Sequence, residues 1–176
     1  MHISLIQAVL IAIFYYLSWS PWLTYVGFFT WNRPLLAGFV TGIILGDPVQ
    51  GAIIGAGINM IYLGFISAGG AQMGDPAFAG YVGTALAIAS KLDVSTAMAI
   101  AVPLGTVATV LWIGKMTVNS FFAHWADREV QKGNVDRVAF INIVPPQILL
   151  FAMSFIPALL VVYFGPNAID GMLEVM

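Results

Sequence analysis

Arg33-Pro34-Leu35-Leu36-Ala37-Gly38-Phe39-Val40-Thr41-Gly42-Ile43-Ile44-Leu45-Gly46-Asp47-Pro48 is the stretch that decides how this chain folds. Proline is suited to the first position of a helix, so Pro34 opens one and Gly46-Asp47-Pro48 closes it and opens the next. Between them, Leu35 to Gly46 is apolar throughout. At about 1.5 Å per residue it covers roughly 20 Å, short of the approximately 30 Å hydrocarbon core of a bilayer. The segment is too apolar for a soluble surface helix and too short to cross a membrane. Such pieces are tolerated at membrane depth only where protein or a watery cavity satisfies their exposed backbone.

The pattern extends outward from there. Val49 to Ile66 is just long enough to span. A small-residue break follows, Ser67-Ala68-Gly69-Gly70-Ala71-Gln72-Met73-Gly74-Asp75-Pro76, and then Ala77 to Ser90, again short. Upstream, Ile3 to Trp19 reads as a first helix that stops near Ser20-Pro21. The Trp19, Trp22, Tyr25 and Trp31 cluster suits a headgroup layer. Downstream, Asp93 can cap a helix from Val94 to about Phe122, kinked at Pro103. The six charges of residues 127–137 require water there, an aqueous loop. A last apolar region, Val138 to Phe164, is interrupted by Pro145-Pro146 and Pro157, and Gly165-Pro166-Asn167 reads as the start of another connection. The expected fold is all-α: one polytopic membrane domain over residues 1–176, with about 4–6 embedded segments, some short, re-entrant or discontinuous. Gly38, Gly42 and Gly46, then Gly51 and Gly55, stand four residues apart, a spacing that lets helices pack closely in lipid.

Composition agrees. The 176 residues are 60% hydrophobic and 8% charged, with a mean hydropathy of +0.94. A soluble domain carries about 25% charged residues. No Lys, Arg, Asp or Glu precedes Arg33, and none lies between Arg137 and Asp170. The net charge of −2 argues against nucleic acid. With no cysteine, disulfides, thiolate metal sites and cysteine nucleophiles are excluded. The first residues lack the basic region of a cleavable signal, so the first apolar stretch is a retained helix. Three of the six Lys/Arg residues fall in 127–137, which places that loop on the cytoplasmic side.

Few residues can carry chemistry. Asp47 and Asp75 share Gly-Asp-Pro, in which glycine breaks the chain, aspartate caps the next helix and proline takes its first position. Capping accounts for Asp47. Asp75 follows a glycine-rich break in an apolar region, where an ionisable group is costly and functional by default. Its carboxylate is also suited to accept hydrogen bonds from sugar hydroxyls. Asn59 is an amide in a long apolar helix, offering donors and acceptors to a polyhydroxylated ligand or to a neighbouring helix. Gln72, in the break, is a weaker candidate of the same kind. Tyr62, three residues after Asn59, reads first as a packing residue. His124 with Asp127 makes no metal site, which needs three or four ligands, and reads as an interfacial, solvated histidine. Nucleophile-elbow, zinc-protease and phosphate-loop motifs are absent. The two aspartates read as helix caps and not as a shared-proton dyad.

Arg33-Pro34-Leu35-Leu36-Ala37-Gly38 with Gly42 to Asp47, Gly51 to Gly55, Asn59 to Gly64, Gly69-Gly70-Ala71, Asp75 to Ala79, Ala101 to Leu104 and Ala126 to Asn134 together resemble a known family. It is the IIC subunit of mannose–fructose–sorbose-type phosphotransferase systems (PTS), and the resemblance runs in order over nearly the whole chain. It implies a permease core in the cell (inner) membrane, able to form a homo-oligomer, that works with a IID membrane subunit. Cytoplasmic IIA and IIB phosphocarriers bring the phosphoryl group, so this subunit is not itself an enzyme and needs no cofactor. The resemblance also implies a hexose or related sugar held in the membrane, with Asn59 and Asp75 as the best contacts and Gln72 behind them. Mannose-type members tend to carry glutamate where this chain has Asn59, so mannose is not implied. Family members are longer, and residue 176 falls about where a second membrane block is expected to begin. The alternative expectation is a non-transporting membrane assembly subunit.

Overall fold

A computed structural model of the chain describes residues 2–23, 30–65 and 72–173. Among them the regular elements are all helical: α1 (Leu5–Trp19), α2 (Pro34–Leu45), α3 (Pro48–Tyr62), α4 (Pro76–Ala89), α5 (Val94–Gln131) and α6 (Val135–Leu173), with a 3-10 turn at Pro21–Leu23. α5 and α6 are long and apolar enough to cross a bilayer, while α1, α2 and α4 are shorter apolar helices. The fold is the all-α membrane architecture that the charge distribution implies. Tyr25, Ile66 at the end of the expected spanning segment, the 67–71 part of the small-residue break and residues 174–176 lie outside the described residues.

The helix starts follow local chemistry. Ser4 and Gln7 form a reciprocal capping box at α1, and the Gln7 amide also donates to the Ile44 carbonyl at 3.1 Å, tying the start of α1 to the end of α2. α2 ends on Gly46 in the left-handed conformation (φ 88°). The Asp47 carboxylate then accepts from Gln50 N–H at 3.0 Å, with Pro48 at the first helical position.

α2 and α3 form a tight hairpin held backbone to backbone. A Cβ at Gly38 would come within 2.5 Å of the Gly51 carbonyl, and one at Gly55 within 2.6 Å of the Pro34 carbonyl. The glycine spacing marks this seam. α3 is shorter than the sequence suggests, turning at Leu63-Gly64 instead of running to Ile66.

α4 lies at the centre. One side packs with Ala8, Ala12 and Tyr15 of α1 and Val162 of α6; the other meets Ile54, Ile58 and Tyr62 of α3 and Ala97 and Ala101 of α5. It contains a π-helical turn at Ala79–Gly83. The Tyr81 carbonyl in that turn accepts from the Thr41 hydroxyl of α2 at 3.4 Å. Buried on all sides, α4 has no need of a polar face.

Two expectations change at the long helices. Residues 127–137 are not a loop: α5 continues to Gln131 and α6 starts at Val135. Glu129, 2% exposed, accepts from Lys132 Nζ at 2.7 Å and Asn134 Nδ2 at 2.8 Å, with Arg137 at 3.7 Å, so the charges close the hairpin on themselves. The prolines at 145, 146, 157 and 166 do not interrupt α6, the expected connection after Gly165 is helix, and α5 continues through Pro103. Each proline removes one backbone donor, whereas a break in an apolar surround would strand several groups, so the helix continues.

Candidate functional site

Asp75 is the most thoroughly held charged side chain in the interior. It is 4% exposed and opens α4. One carboxylate oxygen caps the helix by accepting from Phe78 N–H at 2.9 Å. The other accepts from the Tyr15 hydroxyl at 2.6 Å and the Trp19 indole N–H at 3.2 Å. The Asp75 N–H itself donates to the Gly105 carbonyl of α5 at 2.8 Å. A Cβ at Gly105 would come within 2.8 Å of the Asp75 carbonyl and 3.0 Å of Ala79 Cβ, so a glycine is required for α5 to come this close. Asp75 therefore joins α1, α4 and α5. A small cavity, with room for about one water, is lined by Tyr15, Trp19, Asp75, Trp112, Lys115 and Ser154. It has no space for a sugar.

The capping account of Asp75 is thus correct and incomplete. Its partners Tyr15 and Trp19 were missed because Trp19 reads from sequence as a headgroup-layer residue; here it is half-buried and bonded to the carboxylate. The available signal was spacing. An aromatic donor at position 15 and another at 19 share one helix face.

Asn59 occupies a different place. It is half-buried and lines an open groove of about 450 Å³ with Thr30, Arg33, Leu35, Leu36 and Leu63, at the end of the α2–α3 hairpin where Arg33 precedes α2. That size falls within the roughly 300–1,000 Å³ typical of small-molecule sites. An amide, a guanidinium and a hydroxyl facing apolar leucines can supply donors and acceptors to a polyhydroxylated ligand. The cavities of Asn59 and Asp75 share no lining residue, and Gln72 lines neither. Among the described residues, neither of these two cavities gathers the three expected contacts. Arg33, which the sequence marks only as a helix start, joins Asn59 instead.

Tyr62 packs as expected. Its ring is 2% exposed and lies against Phe65 at 4.7 Å, and its hydroxyl points at the Val102 carbonyl at 3.5 Å. His124 is exposed on α5. No cluster of three metal-ligating side chains occurs among the described residues.

The model of the PTS system sorbose-specific IIC component family matches residues 5–176. The chain is 33% identical over 182 residues to the PTS system sorbose-specific EIIC component of Lacticaseibacillus casei, covering all of this chain and 63% of that protein. It is 35% identical over 148 residues to the PTS system mannose-specific EIIC component of Escherichia coli (strain K12), covering 83% of this chain and 55% of that one. A cryo-EM structure of the mannose transporter ManYZ in complex with microcin E492 superposes with a TM-score of 0.82 at 32% identity, over 99% of this chain and 69% of the matched chain. The chain thus spans between about half and two thirds of the length of these curated relatives.

Proposed function

This chain belongs to the sorbose-specific IIC family of the phosphotransferase system, and from that premise we propose that it is the sugar-binding and translocating part of a permease in the cell inner membrane. The sugar is a hexose or a related polyol. It is received in the groove of Asn59, Arg33 and Thr30, and the observation that carries this reading is that groove: it is sugar-sized, open and polar on one wall. Asn59 donates to and accepts from hydroxyls, and Arg33 presents several donors in one plane. Asp75, whose oxygens already hold three donors, acts as a positioning group that sets α4, instead of as the sugar contact first expected of it. The chain works with a IID membrane subunit, and IIA and IIB proteins carry the phosphoryl group, so no step of bond making falls to its own residues.

The test is uptake of labelled hexoses by cells expressing the chain with its IIA, IIB and IID partners. Asn59→Ala and Arg33→Ala are each expected to raise KM about tenfold, the loss of one good hydrogen-bonded contact. Uptake unchanged in both variants removes the groove as the sugar site. Rapid uptake by the chain alone, without partners, overturns the assembly.

A further inference from the structure

Lys115 is the only cation between Lys91 and Arg128 in sequence, and it stands well inside the apolar length of α5. An ammonium there is costly and calls for a specific counterpart. The structure gives it two aromatic faces: Nζ lies 4.1 Å from the Trp112 ring centroid and 5.1 Å from that of Trp19. The Trp19 and Trp112 rings are themselves 5.0 Å apart, so together they make a cleft for the cation. Trp19 then turns its indole N–H to the Asp75 carboxylate at 3.2 Å. Among the described residues Lys115 makes no direct ion pair; it faces Asp75 across the small cavity with Trp19 between them.

We propose that Lys115 is the counter-charge of Asp75 and a positioning residue for transport, coupled to it through the Trp19 indole. A cation over an indole face draws electron density from the ring, which makes the ring N–H a better donor to an anion. The two charges and the ring between them form a neutral unit that fixes the start of α4 against α1 and α5. Lys115 lies outside the Asn59 groove and so acts on the placement of α4, not on the sugar itself. This last step rests on the transport function proposed above; the coupling of the charges does not.

Two measurements separate them. The first is a melting-temperature cycle on the purified full chain in detergent, with Lys115→Met, Asp75→Asn and the double variant. Each single change leaves one charge unmatched and is expected to lower the melting temperature by about 5 °C or more, the double by clearly less than the sum. Trp19→Phe keeps an aromatic face under Lys115 and removes the N–H, so the same cycle in that background is expected to approach additivity. Additive effects in the native background, or coupling undiminished by Trp19→Phe, overturn the proposal. The second is hexose uptake with the partner subunits. Lys115→Met is expected to lower the maximal rate about tenfold or more with KM within about twofold, and Lys115→Arg to restore most of it. A rise in KM alone overturns the positioning role. If the native assembly takes up no hexose at all, the transport reading fails, while the melting cycle still decides the charge coupling.

Discussion

Gly46-Asp47-Pro48 and Gly74-Asp75-Pro76 are the same three residues in two settings. Both aspartates cap a helix whose first residue is proline, at nearly the same distance: 3.0 Å to Gln50 N–H and 2.9 Å to Phe78 N–H. There the likeness stops. Asp47 is exposed, whereas Asp75 is buried and adds an aromatic hydroxyl and an indole N–H to the cap. Local sequence therefore sets the cap, and the surroundings decide what else the carboxylate does. At Asp47 the surroundings add nothing; at Asp75 they make it the joint of three helices.

The largest effect that tests this contrast is truncation of each aspartate. Asp75→Ala removes the shared acceptor of the Tyr15 hydroxyl, the Trp19 N–H and the Phe78 N–H in a buried site, and with it the counter-charge proposed for Lys115. The expected loss is about 3–5 kcal/mol. Asp47→Ala removes a cap whose freed N–H meets solvent or headgroups, at about 1 kcal/mol. Denaturant unfolding of both variants in the same detergent measures the difference. Equal losses would mean that the buried partners of Asp75 contribute nothing beyond the cap.

Legibility followed the same division. What depends on local chemistry could be read ahead: the proline starts at 34, 48 and 76, the cap at Asp47, the short lengths of α2 and α4, and the glycine spacing that marks the α2–α3 seam. Segment ends in apolar surroundings were harder. The prolines of α6 suggested interruptions because proline costs a helix a hydrogen bond in water, but away from water a break costs more. The charged stretch 127–137 suggested a loop, yet Glu129 gathers its neighbours and lets both helices run to the turn. Least legible was which residues meet. The spacing of Tyr15 and Trp19 puts them on one face of α1, but it does not say that this face meets Asp75, nor that Arg33 meets Asn59, since those contacts depend on how the helices cross.

The hairpin that Asp47 caps differs from the helix that Asp75 caps in what holds it, and a single methyl group probes that. In the hairpin, main chain rests on main chain. A Cβ at Gly51 would collide with the Gly38 carbonyl and come within 2.7 Å of Gly42 Cα, and backbone has no rotamer to retreat to. Gly51→Ala is therefore expected to cost about 1–3 kcal/mol by forcing α2 and α3 apart. Gly64→Ala, with open space around its Cβ position, is expected to stay within about 0.5 kcal/mol. Paired unfolding measurements give the contrast. If Gly51→Ala is as mild as Gly64→Ala, the seam is looser than backbone contact.

The smallest effect concerns a third capping aspartate, which stands between the other two in kind. Asp93 is exposed like Asp47, yet it has several donors like Asp75: Ser95 N–H at 3.2 Å and the Ser95 and Thr96 hydroxyls. Those hydroxyls, Ser95 first, bring its carboxyl down to about 2, against an ordinary value of about 3.9. A carboxyl depressed in the folded state contributes stability that is fully present above its ordinary value and lost as pH falls through the folded one. Asp93→Asn keeps a good capping side chain and removes the titration. The native chain is therefore expected to melt slightly higher than the variant near neutral pH. That margin should begin to shrink at about pH 4 and vanish only below about pH 2. A margin constant over that range would show that the hydroxyls orient the side chain without favouring its charge, which would place Asp93 with Asp47 as a simple cap.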